Sequence, residues 1–196
     1  MTDKDLHGNA PDSAGTALLI VDVINDLEFP GADRLFESAL NMARCLIEFK
    51  ARASRAGIPC VYVNDNFGRW RSSLETLVSH GLESNVRGKP IVKMLRPKED
   101  DYFILKPKHS GFYATPLPIL LDHLGAKRLI MTGLTADSCV LFTANDAYVR
   151  EYELCVPADC VASIDPELNE QSLRHMRSVL RADIALSTEL DLGARA

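Results

Sequence analysis

Cys139 stands in MTGLTADSCV, residues 131–140, where an apolar run stops at Gly133 and small and polar residues lead into a helical pattern. Two other apolar runs end in residues of complementary chemistry: Asp22 in LLIVDVINDL and Lys106 in LKPKHSGF. A thiol attacks as its thiolate. An acid can take its proton, a lysine can hold the acid and the sulfur while keeping the site cationic, and the thiolate can then attack a carbonyl. In this reading three things lower the thiol pKa: the positive end of the helix that Cys139 opens, Lys106, and an acid to take the proton. The backbone N–H groups of Thr135 and Cys139 are the candidate oxyanion donors. Each residue also has a plain reading. A free cysteine packs well as a small hydrophobe, and an aspartate at a strand end often forms a turn. Lys106 reads equally as a surface lysine, with Lys108 competing for the role. The combination is more informative than any one member.

The elements that must position these residues follow from hydrophobic patterning. Strands are expected at 16–23, 59–65, 101–107, 127–133 and 153–160, with a short sixth at 184–188. Helices are expected at 35–57, 116–126, 138–152 and 166–183, the first closed by Gly57. Strand and helix alternate almost throughout, which predicts an α/β fold: a three-layer, doubly wound, mostly parallel six-stranded sheet with helices on both faces. The strands are apolar on both sides, as a doubly covered sheet requires. Ligands of such sheets bind beyond the carboxyl ends of the strands. Asp22, Lys106 and Cys139 are therefore expected to converge on one edge.

Composition narrows the function classes. The 196 residues suit one domain, expected over 16–190 after a flexible tail at 1–15. A net charge of −5 argues against a general nucleic-acid binder. No apolar run approaches the roughly 20 residues that span a bilayer, and the polar N-terminal stretch lacks the apolar segment of a signal peptide. Five cysteines, an odd number without a CxxC pair, fit a reduced cytoplasmic protein better than a disulfide framework. The five histidines have no zinc-ligand spacing to one another or to cysteine. No Gly-rich phosphate loop follows the first strand, so a nucleotide cofactor is not expected.

Three stretches carry a family resemblance: LLIVDVINDL, LKPKHSGFYATPL and MTGLTADSCVLFTANDAY. From about Thr16 to about Ala185 the chain resembles the cysteine hydrolases of the isochorismatase-like superfamily, which includes nicotinamidases, N-carbamoylsarcosine amidases and ureidoacrylate amidohydrolases. The resemblance implies Asp22 as general base, Lys106 as the third triad member and Cys139 as a nucleophile that forms a thioester. It prefers Lys106 to Lys108, because Lys106 directly precedes the Pro-x-x-Ser portion of the motif. It also implies a non-proline cis peptide at Leu134–Thr135 and a homo-oligomer. Departures are visible. Ile24 stands where many relatives carry Gln. Phe67 stands where nicotinamidases carry the histidine of an Asp-x-His metal element, and His80 is isolated. No catalytic metal is expected, and nicotinamide becomes a poor substrate guess. Isochorismate-cleaving members lack the nucleophilic cysteine, so Cys139 argues against that reaction.

The segment NDNFGRW, following the second strand, is expected on the active edge. Phe67 and Trp70 could wall a small pocket, with Asn64 or Asn66 offering hydrogen bonds and Phe112 and Tyr113 adding a further wall. Trp70 reads equally as core, and Asp26 as either a site residue or a loop cap. The basic stretch 87–98 reads as a solvated linker, although an anionic substrate or a neighbouring subunit would also suit it. The expected function is a metal-independent cysteine hydrolase that cleaves a C–N bond of a small amide, ureide or lactam. The rivals are a thiol-based redox or sensing protein using the same cysteine, and a non-catalytic binding module. A receiver-like domain would need paired acids after the first strand and an aspartate where Lys106 stands.

Overall fold

The computed structural model describes residues 14–68, 72–83 and 85–193, so most of the expected tail lies outside the described residues. Five parallel strands form the main sheet: β1 (Thr16–Val21), β2 (Cys60–Asp65), β3 (Tyr102–Lys106), β4 (Arg128–Leu134) and β5 (Glu153–Cys155), in the order β3-β2-β1-β4-β5. A two-residue strand, β6 (Val161–Ala162), pairs with the end of β4 and makes the sixth. The chain winds outward from β1 to β3, then returns to the other side of β1 for β4 and β5. The strand order therefore reverses between β1 and β4, and a crevice opens beyond their carboxyl ends.

The faces of β1 show how the layers are built. Leu18 and Ile20 belong to one core, Ala17, Leu19 and Val21 to the other, and all five are fully buried. The first core is covered by α1 (Ala32–Arg55), α2 (Leu74–Glu83) and α3 (Lys89–Met94). The second is covered by α4 (Leu117–Leu124), α5 (Leu141–Tyr148) and α6 (Pro166–Ser178). Helix α1 has the strongest pattern: Leu35, Ala39, Met42, Leu46, Phe49 and Ala53 recur every three or four residues and are all buried. Burying each large apolar side chain of this kind contributes about 1.5–3 kcal/mol.

Several boundaries differ from expectation for physical reasons. The strand expected at 153–160 stops at Cys155, because Pro157 cannot donate to a ladder and a 3-10 turn, Ala158–Cys160, follows. The sixth strand is Val161–Ala162 rather than 184–188. In the latter region Asp183 makes a single bridge to Cys155, and Ser187–Glu189 is a 3-10 turn. The basic stretch 87–98 is not a solvated linker. It contains α3, whose Ile91 and Val92 are buried together with Leu95.

Two glycines fix close approaches near the crevice. Gly133 pairs with Val21 at the β1–β4 seam with φ +107, and a Cβ there would lie 2.1 Å from the Val21 carbonyl oxygen. At Gly88 a Cβ would lie 1.9 Å from the Asn25 carbonyl oxygen, and the Gly88 N–H donates to Asp26 O at 2.7 Å. The loop after β1 is thereby seated on the start of α3.

Candidate active site

The end of β1 turns sharply. Asp22 adopts a left-handed conformation (φ 53), which aspartate tolerates better than most residues. The Asn64 side chain holds this turn. Its carboxamide oxygen accepts from Ile24 N at 3.2 Å, and its Nδ2 donates to Ile24 O at 2.8 Å. Lys106 is the last residue of β3 and is fully buried. Cys139 lies in a π-helical turn, Ala136–Val140, that leads directly into α5. Such turns recur at functional sites. The Leu134–Thr135 peptide before it is cis, as the resemblance implied.

The three residues converge. Lys106 Nζ lies 2.8 Å from Asp22 Oδ2 and donates to Cys139 Sγ at 3.4 Å and to the Lys108 carbonyl at 3.2 Å. All three ammonium protons thus have acceptors. Lys108 itself is exposed and contributes only its backbone carbonyl. Asp65, at the end of β2, adds two contacts absent from the expected set. Its N–H donates to Asp22 Oδ1 at 2.6 Å, and its carboxylate lies 3.6 Å from Lys106 Nζ.

The nucleophile loop is tied down on two sides. The Thr143 hydroxyl donates to Cys139 O at 2.6 Å and accepts from Gly111 N at 3.0 Å, joining the cysteine helix to the loop that follows Lys106. Ser110 reinforces the same seam by donating to Asp146. From the β6 side, Ser163 Oγ donates to Asp137 Oδ1 at 2.7 Å and accepts from Asp137 N at 3.2 Å.

The electrostatics correct one expectation. Burial, and then the Asp22 carboxylate, push the Cys139 thiol up to about 12, against the pull of Lys106. Both effects favour the neutral thiol over the thiolate at rest. Burial also raises the Asp22 carboxyl above its ordinary value, opposed chiefly by Lys106 and by hydrogen bonds from Cys139 and Asp65. Desolvation works to lower Lys106, but Asp22, Cys139 and Asp65 outweigh it and hold the ammonium above its usual range. The arrangement suits a proton that moves from sulfur to carboxylate during attack.

A cavity of about 220 Å³ opens over Cys139. Asp22, Asp65 and Thr135 line its polar side; Leu27, Phe29, Phe67 and Leu134 line its apolar side. Of the expected substrate-binding residues, Phe67 is placed in this cavity. Asn64 is not: it is fully buried and its amide is committed to Ile24. Asn66 accepts from Gly68 N at 2.9 Å and shapes its own loop. Phe112 is also displaced, because it is buried in the core beside Tyr152 and beneath the Arg150 guanidinium. Tyr113 is exposed and does not line the cavity. Asp26 caps its loop at Glu28 N and pairs with His80 at 2.9 Å, facing a neighbouring cavity of about 180 Å³ that shares Phe67. Trp70 lies outside the described residues. Asn25, Leu27 and Phe29 were missed, although their place directly after Asp22 puts them on the active edge.

The resemblance implied that a metal site would need a histidine two residues after the acid that ends β2, and the donors here do not fit that role. Phe67 takes the histidine position, Asp65 is turned to Lys106, and His80 is committed to Asp26. Among the described residues no group of three or more His, Cys, Asp or Glu side chains is placed to hold a metal ion.

Fold and site together define a three-layer α/β domain of the isochorismatase-like kind. Residues 16–189 match the family model described as the Isochorismatase domain, and the chain belongs to that family. It is 40% identical to the uncharacterized isochorismatase family protein YaaI of Bacillus subtilis (strain 168) over 177 residues, 90% of this chain and 97% of that protein. It is 26% identical to the probable inactive nicotinamidase At3g16190 of Arabidopsis thaliana, covering 84% of this chain and 89% of that one. Among solved structures, the N-carbamoylsarcosine amidase of Thermoplasma acidophilum superposes with a TM-score of 0.67 at 28% identity, covering 90% of this chain and 98% of that one. No helix among the described residues is long and apolar enough to cross a membrane.

Proposed function

We propose that the protein is a metal-independent cysteine amidohydrolase that cleaves the C–N bond of a small amide, ureide or lactam. The observation that carries this reading is the single buried Lys106 ammonium placed 2.8 Å from Asp22 and 3.4 Å from Cys139, the two residues of the set that line the cavity. Asp22 takes the thiol proton as sulfur attacks the substrate carbonyl, and backbone N–H groups at Thr135 and Cys139 receive the developing oxyanion. The C–N bond breaks, the amine leaves with the proton from Asp22, and a thioester remains on Cys139. Asp22 then deprotonates water, which hydrolyses the thioester and restores the thiol.

The cavity supports a small substrate. At about 220 Å³ it falls below the roughly 300–1,000 Å³ usual for drug-sized ligands. The amidase among the solved structures supports amide chemistry over vinyl-ether cleavage. The missing metal donors weigh against nicotinamide. A neutral resting thiol weighs against a redox sensor, because oxidation follows thiolate character.

The test is intact-protein mass spectrometry after incubation with a panel of small amides, ureides and lactams, with release of ammonia or amine followed in parallel. A substrate-sized adduct on Cys139 that decays with product release is the expected result. Cys139→Ala should lose turnover while keeping its circular dichroism spectrum. Full activity in that folded variant refutes the proposal.

A further inference from the structure

At the opposite end of the sheet, the amino ends of β2 and β3, lies a second cavity of about 350 Å³ between α1, α3 and the segment 96–101. It is lined by residues of the basic stretch for which the catalytic reading has no use. Its inner wall carries Lys50, a lysine only 6% exposed. Lys50 Nζ donates to Tyr62 Oη at 3.1 Å and to the Asp101 carboxylate. An ammonium has three protons, so among the described residues one donor of this buried cation has no protein acceptor. The Tyr62 hydroxyl is fixed in turn by donating to Leu95 O at 2.8 Å.

The outer wall is cationic. Lys93, Arg96 and Lys98 line it, and none of them makes an ion pair among the described residues. Asp101 is balanced by Lys50, and Asp100 is the remaining acid of the lining. The cavity thus carries an excess of two positive charges within a chain whose net charge is −5. Such a concentration of one sign in a concave wall focuses field and attracts the opposite charge. Ile47, Ile58 and Met94 supply an apolar side.

We infer that this cavity binds a small dianion with an apolar body, of the size and charge of a phosphate monoester. The buried Lys50 donor and the Arg96 guanidinium hold the anionic head, and Lys93 and Lys98 balance its charge. The site is separate from the catalytic crevice. Cys60 lines the cavity at the start of β2, whereas Asp65 at the end of that strand contacts Asp22. Five steps along the strand separate them, about 17 Å. A ligand here leaves Cys139 accessible. The inference uses no residue of the proposed catalytic set and stands apart from that reading.

The experiment is isothermal titration calorimetry of the full chain with phenyl phosphate, and with inorganic phosphate for comparison, at fixed ionic strength. Wild type, Arg96→Glu, Lys93→Glu and Cys139→Ala are titrated in parallel. Arg96 and Lys93 are exposed, so their charge reversals should leave folding intact. The expected result is saturable binding of one phenyl phosphate per chain, weakened about tenfold or more by either charge reversal and unchanged by Cys139→Ala. Weaker binding of inorganic phosphate would show that the apolar wall contributes. Binding that is lost in Cys139→Ala but kept in both charge reversals places the anion at the catalytic end and overturns the inference. So does the absence of saturable binding of either probe up to about 10 mM.

Discussion

Replacing Asp22 with Asn should make Cys139 react faster with an alkylating agent while abolishing amide turnover. The two effects have one cause. In the native site the thiol is pushed up to about 12, first by burial and next by the Asp22 charge, while Lys106 pulls it down. The thiolate is then the minor form at pH 8. The Asp22 carboxylate and the sulfur share Lys106 and are hydrogen-bonded to each other. Two unit charges about 4 Å apart interact by about 4 kcal/mol at an effective dielectric constant near 20. Removing the carboxylate charge leaves Lys106 as the dominant neighbour and raises the thiolate fraction by about a thousandfold. Each thiolate becomes a weaker nucleophile as its basicity falls, by about 20- to 30-fold. The net expectation is alkylation about 30- to 50-fold faster at pH 8. Asn can keep the acceptor for Asp65 N, so the turn after β1 should survive. The assay is the pH dependence of iodoacetamide labelling, with peptide mapping to separate Cys139 from the other four cysteines. Unchanged or slower labelling of a folded Asp22→Asn protein refutes the electrostatic account of this site, whatever becomes of turnover.

Lys106→Met removes a fully buried cation from its partner and should cost about 3–5 kcal/mol in urea unfolding. The same change deprives Asp22 of its main counter-charge. Its already raised pKa rises further, and the acidic limb of the kcat/KM profile, where the base is lost as pH falls, should move to higher pH. Thr143→Val leaves Cys139 O and Gly111 N without their hydroxyl partner. About 1–3 kcal/mol of stability and about tenfold in kcat should be lost with KM little changed, and Thr143→Ser should restore both. Gly133→Ala should fail to yield folded protein at 37 °C by circular dichroism, because its Cβ would lie 2.1 Å from the Val21 carbonyl oxygen at the seam of the sheet.

The alternation of apolar runs with amphipathic stretches was enough to establish a doubly covered parallel sheet, because each run has the length and apolarity of one buried strand. Since a parallel sheet puts all its carboxyl ends on one edge, the same pattern brought Asp22, Lys106 and Cys139 together without coordinates. Helix α1 was legible nearly to its ends, for its buried residues recur at helical spacing and Gly57 follows with a positive φ. The short elements were not. Strand β6 has two residues and exists only because the end of β4 offers it unpaired backbone groups. Helix α3 presents Lys93 beside Ile91 and Val92, and a local excess of charge hid a buried face.

The site divides in the same way. Which residues could carry acyl-transfer chemistry is a matter of type and strand-end position, and both are written in the chain. Which residues line the cavity depends on side-chain direction, which reverses at each step along a strand and is redrawn in every loop. Asn64, the last but one residue of β2, turns inward to clamp Ile24, whereas Asp65 beside it meets Asp22 and Lys106. The protonation of Cys139 was decided by tertiary structure alone. Sequence shows a lysine and a helix start, which favour the thiolate. Only folding sets how much water is excluded and how near the Asp22 charge comes, and those two effects outweigh the lysine and push the thiol above its ordinary value.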